Sequence, residues 1–176
     1  MSDPAPSFEE IQRLVASKKP PLAARVIERR DDEITREASV VFDGINAWFV
    51  DDGTRIELRA AEDRVVYVAD GTIERVGPGM VAASNAWVKN LLDGRRTRID
   101  QAAGDVLGPD DLFERRCWLV RVEGWRANDE TAFLLHVDAQ TGVILRQARE
   151  DEETTLDVEE LMLGTVTERE RVETDG

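Results

Sequence analysis

Residues 116–149, RCWLVRVEGWRANDETAFLLHVDAQTGVILRQAR, constrain the fold more than any other stretch of this chain. Every second residue is apolar in Trp118, Val120 and Val122, and again in Phe133, Leu135 and Val137. Val143 and Leu145 continue the pattern beyond a turn. A period of two buries one face of a β-strand and wets the other. Asp138 to Gly142 supplies the reversal, with Gly142 suited to the positive-φ position of a short hairpin loop. Three consecutive strands are expected here.

The same grammar recurs upstream. Asp43-Gly44, Asp52-Gly53 and Asp70-Gly71 each separate β-rich runs, and Asp-Gly is favoured where a two-residue turn needs positive φ. The runs are Ala38–Phe42, Ile45–Val50, Thr54–Arg59, Arg64–Ala69 and Thr72–Val76, with Ala23–Arg29 a further strand ahead of them. Short strands joined by tight turns make an antiparallel meander, not βαβ units.

Helices are few. Phe8, Ile11, Leu14 and Val15 recur at helical spacing behind Ser7, a natural N-cap, and Lys18-Lys19-Pro20-Pro21 ends the segment. Ser84 precedes a second helix over 85–92, stopped by Gly94. Pro109 to Leu112 is expected to form one helical turn, and residues 156–163 an edge strand or short helix. The domain plan is a disordered N-terminus at 1–7, one domain over 8–165 and an acidic disordered tail at 166–176.

Bulk properties narrow the function. A chain of 176 residues forms one domain that buries roughly 70% of the surface exposed when unfolded. A net charge of −14 disfavours nucleic acid and anionic membrane as partners. The single cysteine, Cys117, permits neither an intramolecular disulfide nor a cysteine-based metal site, and its place in a strand suits a buried, inert thiol. No secretory signal pattern opens the sequence and no apolar run reaches 18 residues, so no membrane insertion and a cytoplasmic location are expected.

No catalytic or metal-binding constellation stands out, and no cofactor or enzymatic activity is expected. His136, the only histidine, falls on the register opposite to Phe133, Leu135 and Val137, which suits a surface or hydrogen-bonded structural role. The pairs Asp31-Asp32, Asp51-Asp52 and Asp110-Asp111 are explained by turns and helix starts. The aromatic residues remain. Trp48, Tyr67, Trp87, Trp118, Trp125 and Phe133 either pack as core or line a cavity formed when a wide sheet curls around its helices.

The order of elements, with RVVYVADG in the middle hairpin and LHVDAQTGVILR in the last, resembles the LolA/RseB/LppX-like half-barrel superfamily. That resemblance implies an α+β fold: a strongly curved antiparallel sheet, open as a half-barrel, with helices packed on its concave face. It implies a non-enzymatic protein holding an apolar small molecule or acyl chain there. The matching apolar positions are Val40, Phe42, Trp48, Tyr67, Trp87, Trp118 and Phe133. Two alternatives share the fold: a regulatory domain that binds a protein partner in the manner of RseB, and a cofactor-independent enzyme of the VioE type.

Overall fold

The computed structural model describes residues 4–44, 47–51, 54–59, 64–69, 72–76, 99–124, 131–150 and 153–164, the segments between 47 and 76 by their backbone. Among the described residues one helix, α1 (Phe8–Ala16), precedes two runs of strands. The first comprises β1 (Leu22–Arg30), β2 (Glu33–Phe42), β3 (Ala47–Asp51), β4 (Thr54–Arg59), β5 (Arg64–Ala69) and β6 (Thr72–Val76). The second comprises β7 (Gly104–Leu112), β8 (Arg115–Val122), β9 (Phe133–Asp138), β10 (Ile144–Arg149) and β11 (Thr154–Leu163).

All eleven strands form one antiparallel sheet in the order β6-β5-β4-β3-β2-β1-β11-β10-β9-β8-β7. Each run is a meander, and pairing of β1 with β11 joins the two. The sheet is not closed: β6 and β7 lie at its two ends. Strands in such a sheet rotate by about 20–25° from one to the next, so a sheet of this width coils.

Sequence patterning anticipates most of these elements. The strands at Thr54–Arg59, Arg64–Ala69 and Thr72–Val76 have the expected bounds, and the three strands between 116 and 149 are present. Two expectations are overturned. Pro109 to Leu112 is not a helical turn but the end of β7, where Pro109 pairs with Trp118. Proline has no N–H to donate, and an edge strand tolerates that. Residues 156–163 form a strand, yet it is internal, flanked by β1 and β10. Asp110-Asp111 accordingly sits in a strand and not at a helix start. The expected helix at 85–92, the turn pairs 52–53 and 70–71, and the tail at 166–176 lie outside the described residues.

The sheet presents two different faces. Cross-strand partners share a face, as do residues two apart along a strand. Val40 pairs with Ala24, Val26 with Val158, Leu156 with Gln147, Gln147 with Leu135, and Val137 with Trp118. Val40, Phe42, Phe133 and Trp118 therefore lie on one side. This side is apolar. One buried cluster includes Leu22, Val26, Val40, Phe42, Leu145 and Val158. A second includes Val120, Phe133, Leu135 and Val137, and α1 covers it by inserting Ile11 and Val15.

The seating of α1 follows from its ends. Ser7 and Glu10 form a reciprocal capping box, satisfying two N–H groups that no helical carbonyl can reach. At the other end Lys19 is buried, and its Nζ donates to the carbonyls of Leu14, Val15 and Ser17. Two glycines let the helix approach. A Cβ at Gly104 would come within 2.5 Å of the Phe8 ring. A Cβ at Gly142 would meet the Leu14 carbonyl oxygen. Gly142 also has φ +70°. We expect Gly142→Ala to destabilise the fold by at least about 2 kcal/mol, through left-handed strain plus a backbone collision. Chemical denaturation measures this, and an unchanged midpoint would show that α1 does not press on the β9–β10 turn.

Candidate functional site

The apolar positions expected to line a cavity are distributed as follows. Val40 and Phe42 belong to the cluster centred on β1, β2 and β11, which also takes in Leu145 of β10 and Cys117 of β8. Phe133 belongs to the cluster beneath α1, with Trp118 half-buried against it. All four share the α1 face. Backbone register carries the row of Val40 through Phe49 and Ile56 to Tyr67, so Tyr67 occupies the same side. Trp48 occupies the adjacent row, opposite Val41 and Glu57, and so the other side. Trp87 and Trp125 lie outside the described residues.

The two clusters differ in what covers them. α1 supplies Ile11 and Val15 to the cluster on β8 and β9, whereas no residue of α1 belongs to the β1–β2–β11 cluster. Burial on the α1 face is uneven: Val26 and Leu135 are both 0% exposed, whereas Trp118 is half-buried. Near the start of β1, Lys18, Lys19, Pro20, Pro21, Asp43 and Gly44 line an open recess of about 490 Å³.

The opposite face carries charge. One cross-strand row runs from His136 through Arg146 and Asp157 to Ile27 and Glu37. Asp157 is fully buried. Arg146 grips it with two hydrogen bonds, of 2.6 and 3.0 Å, and Arg29 donates to it from β1. Arg29 also bonds Glu159, while Arg25 pairs with Glu37. Planar guanidinium groups make such two-point contacts with carboxylates, which both neutralises and orients a buried acid.

A second buried acid secures the β9–β10 turn. Asp138 accepts two hydrogen bonds from Arg115 and further ones from the Thr141 amide and hydroxyl. Burial opposes its ionisation, but these bonds together outweigh burial and hold its pKa below the ordinary carboxylate value.

His136 Nε2 lies 3.1 Å from an Asp110 carboxylate oxygen, and the ring's Nδ1 is buried without a hydrogen-bond partner among the described residues. Burial pushes the imidazole pKa down. Cys117 is fully buried, and burial, reinforced by nearby aspartates, raises its thiol to about 11. A thiol so protonated at neutral pH is a poor nucleophile. No group of three or more His, Cys, Asp or Glu residues among those described could hold a metal ion.

Sequence reasoning located the turn at Asp138 and the polar register of His136 but missed the Arg29–Asp157–Arg146 bridge. Its members lie 128 and 11 residues apart, and no local pattern links them.

The protein known as MucB, in the Pseudomonas aeruginosa MucA/MucB complex, superposes with a TM-score of 0.59 at 17% identity, over 92% of this chain and 59% of its own. An uncharacterised conserved protein of Thermus thermophilus gives 0.60 at 16% identity, covering 91% of this chain and 89% of its own. The fold is LolA/RseB/LppX-like. The lipoprotein LppX of Mycobacterium tuberculosis superposes at 0.50 with 10% identity, over 90% of this chain and 94% of its own. This chain thus spans about three fifths of MucB. No protein-family model matches the sequence, and no curated protein does so significantly.

Removing one member of a buried ion pair leaves its partners uncompensated. Asp157→Ala should cost about 3 kcal/mol, measured by urea denaturation; a loss under about 0.5 kcal/mol would mean the bridge is energetically idle. A pH series tests Asp138. Its folded pKa is depressed, so its contribution is present above the unfolded carboxylate value and disappears as pH falls through the folded one. The melting-temperature advantage of wild type over Asp138→Asn should therefore shrink on acidification. An advantage that stayed constant to strongly acid pH would contradict this assignment.

Proposed function

We propose that this protein is a non-enzymatic binding protein which holds an apolar ligand, an acyl chain or a hydrophobic small molecule, on the α1 face of its open sheet. One observation carries the reading. The apolar side is continuous in register from Trp118 on β8 to Tyr67 on β5, but α1 covers only its β8–β9 end. A coiled sheet whose apolar face is covered in part by one described helix can part from that helix and admit a ligand. The driving force would be removal of apolar area from water, worth ~25 cal/mol per Å² before ordering costs. Val40, Phe42, Tyr67, Trp118 and Phe133 are the proposed contacts on this side, with Trp87 proposed from the sequence; Trp48, on the other row, is left out of the set.

The second reading is a regulatory domain that binds a protein segment. It is favoured by the MucB likeness, since MucB has been solved in complex with MucA. The chain spans only part of MucB, so a partner for it is a separate proposal.

Titration with a fluorescent long-chain fatty acid distinguishes the two. The carrier reading predicts saturable binding that Trp118→Ala weakens severalfold, with the fold retained. No saturable binding to correctly folded wild-type protein would remove the carrier reading and leave the partner-binding one.

A further inference from the structure

The polar face holds a device at the sheet's β7 end. The β7–β8 turn is Phe113-Glu114, with φ of +51° and +60°. Left-handed backbone is unfavourable for any residue with a Cβ, and an aromatic residue there persists only when surrounding contacts hold it. Two contacts do so. The Phe113 ring lies 5.5 Å beneath the Arg146 guanidinium, although Arg146 belongs to β10. Asp110 of β7 reaches across β8 to His136 of β9. Both contacts run from the edge hairpin to strands deeper in the sheet, and among the described residues β7 has a ladder partner on one side only.

We propose that the β7–β8 hairpin is an acid-released strap, fastened over the polar face by His136–Asp110 and Phe113–Arg146 and loosened when His136 gains its second proton.

With Asp110 ionised, its contact with Nε2 requires that nitrogen to carry the proton, so the neutral ring leaves Nδ1 bare. Protonation creates an N–H at Nδ1, where burial offers no described acceptor. It also sets a cation on the row of Arg146, its direct cross-strand partner. The charged groups around the ring are Asp110 from β7, Arg146 from β10 and Asp157 from β11, with Asp138 two residues away on β9. On β8 the neighbour directly opposite is Leu119, and Cys117 stays protonated. Asp157 is already engaged by Arg146 and Arg29, and Asp138 by Arg115. Asp110 would gain from a charged histidine, but its side chain is 49% exposed and its attraction is screened. The cost at Nδ1 is not screened. The lowered histidine pKa agrees with that balance. Opening the hairpin hydrates the ring and relieves the left-handed turn together.

Hydrogen exchange on the full chain between pH 7.5 and 5.5, corrected for intrinsic rates, tests the strap. Protection of amides in 104–122 should fall by up to about tenfold per pH unit below the ordinary histidine value, the slope of a one-proton linkage. Amides of β1 and β11 should hold, and His136→Gln, which can still donate to Asp110, should abolish the pH dependence. Equal loss in β1 and β11, or an unchanged response in His136→Gln, would overturn the proposal. Should that variant not fold, the lone histidine's proton NMR titration in wild type decides. A midpoint below the ordinary value that coincides with the loss of β7–β8 protection supports the strap; a midpoint at or above that value overturns it.

Discussion

Pairing of β1 with β11 is the contact on which the rest of the sheet depends. The N-terminal and C-terminal meanders are each local, built from neighbours in sequence, and only this ladder makes them one sheet. It joins Arg30 to Thr154 at one end and Leu22 to Leu163 at the other. Closing such a distant contact costs chain entropy before it returns any energy, which favours slow folding by topology alone. What holds the ladder is different on its two faces. Val26 against Val158 packs the apolar side, while Arg29 and Arg146 converge on Asp157 on the other.

This division of faces organises the molecule. The apolar side takes a helix, and close contact at Gly104 and Gly142 brings that helix onto the second meander. The polar side is stitched by guanidinium–carboxylate pairs, most of them across strands. A buried acid with two arginines contributes less to net stability than its geometry suggests, because desolvation offsets the attraction. Its clearer role is directional. Only one register of β1, β10 and β11 brings Arg29, Asp157 and Arg146 together, and a slip by one residue would turn Asp157 into the apolar side.

Much of this was legible in the sequence, and what was not has a common cause. Alternation gave the strand at 133–138, and β-rich runs between Asp-Gly turns gave those at 54–59, 64–69 and 72–76, because both signals are local. Ser7, ahead of Phe8, Ile11, Leu14 and Val15 at helical spacing, announced α1, since an N-cap is local chemistry; the reciprocal bond from Glu10 is what the structure adds. His136 fell on the polar register by parity alone. The errors arose where a distant partner decides. Residues 156–163 read as an edge strand or short helix because the strand β1 that flanks them lies far back in the chain. Pro109 read as helical because the position of β7 at the sheet's end, which excuses a missing N–H, is a property of the whole topology. Phe113-Glu114 carries none of the residues that favour a left-handed turn; the Leu112–Arg115 pairing that it closes and the Arg146 contact from another strand account for it. Of the cavity positions, Val40, Phe42, Phe133 and Trp118 share the α1 side, while register sets Trp48 on the other.

The central claim is that the apolar side of this open sheet is a binding face. Native mass spectrometry of the protein purified from its own host, before and after solvent extraction, tests it most directly. A binding face predicts an added mass that extraction removes, of a size fitting an acyl chain or hydrophobic small molecule. A single apo mass in both preparations, from protein that is folded and intact, would contradict it.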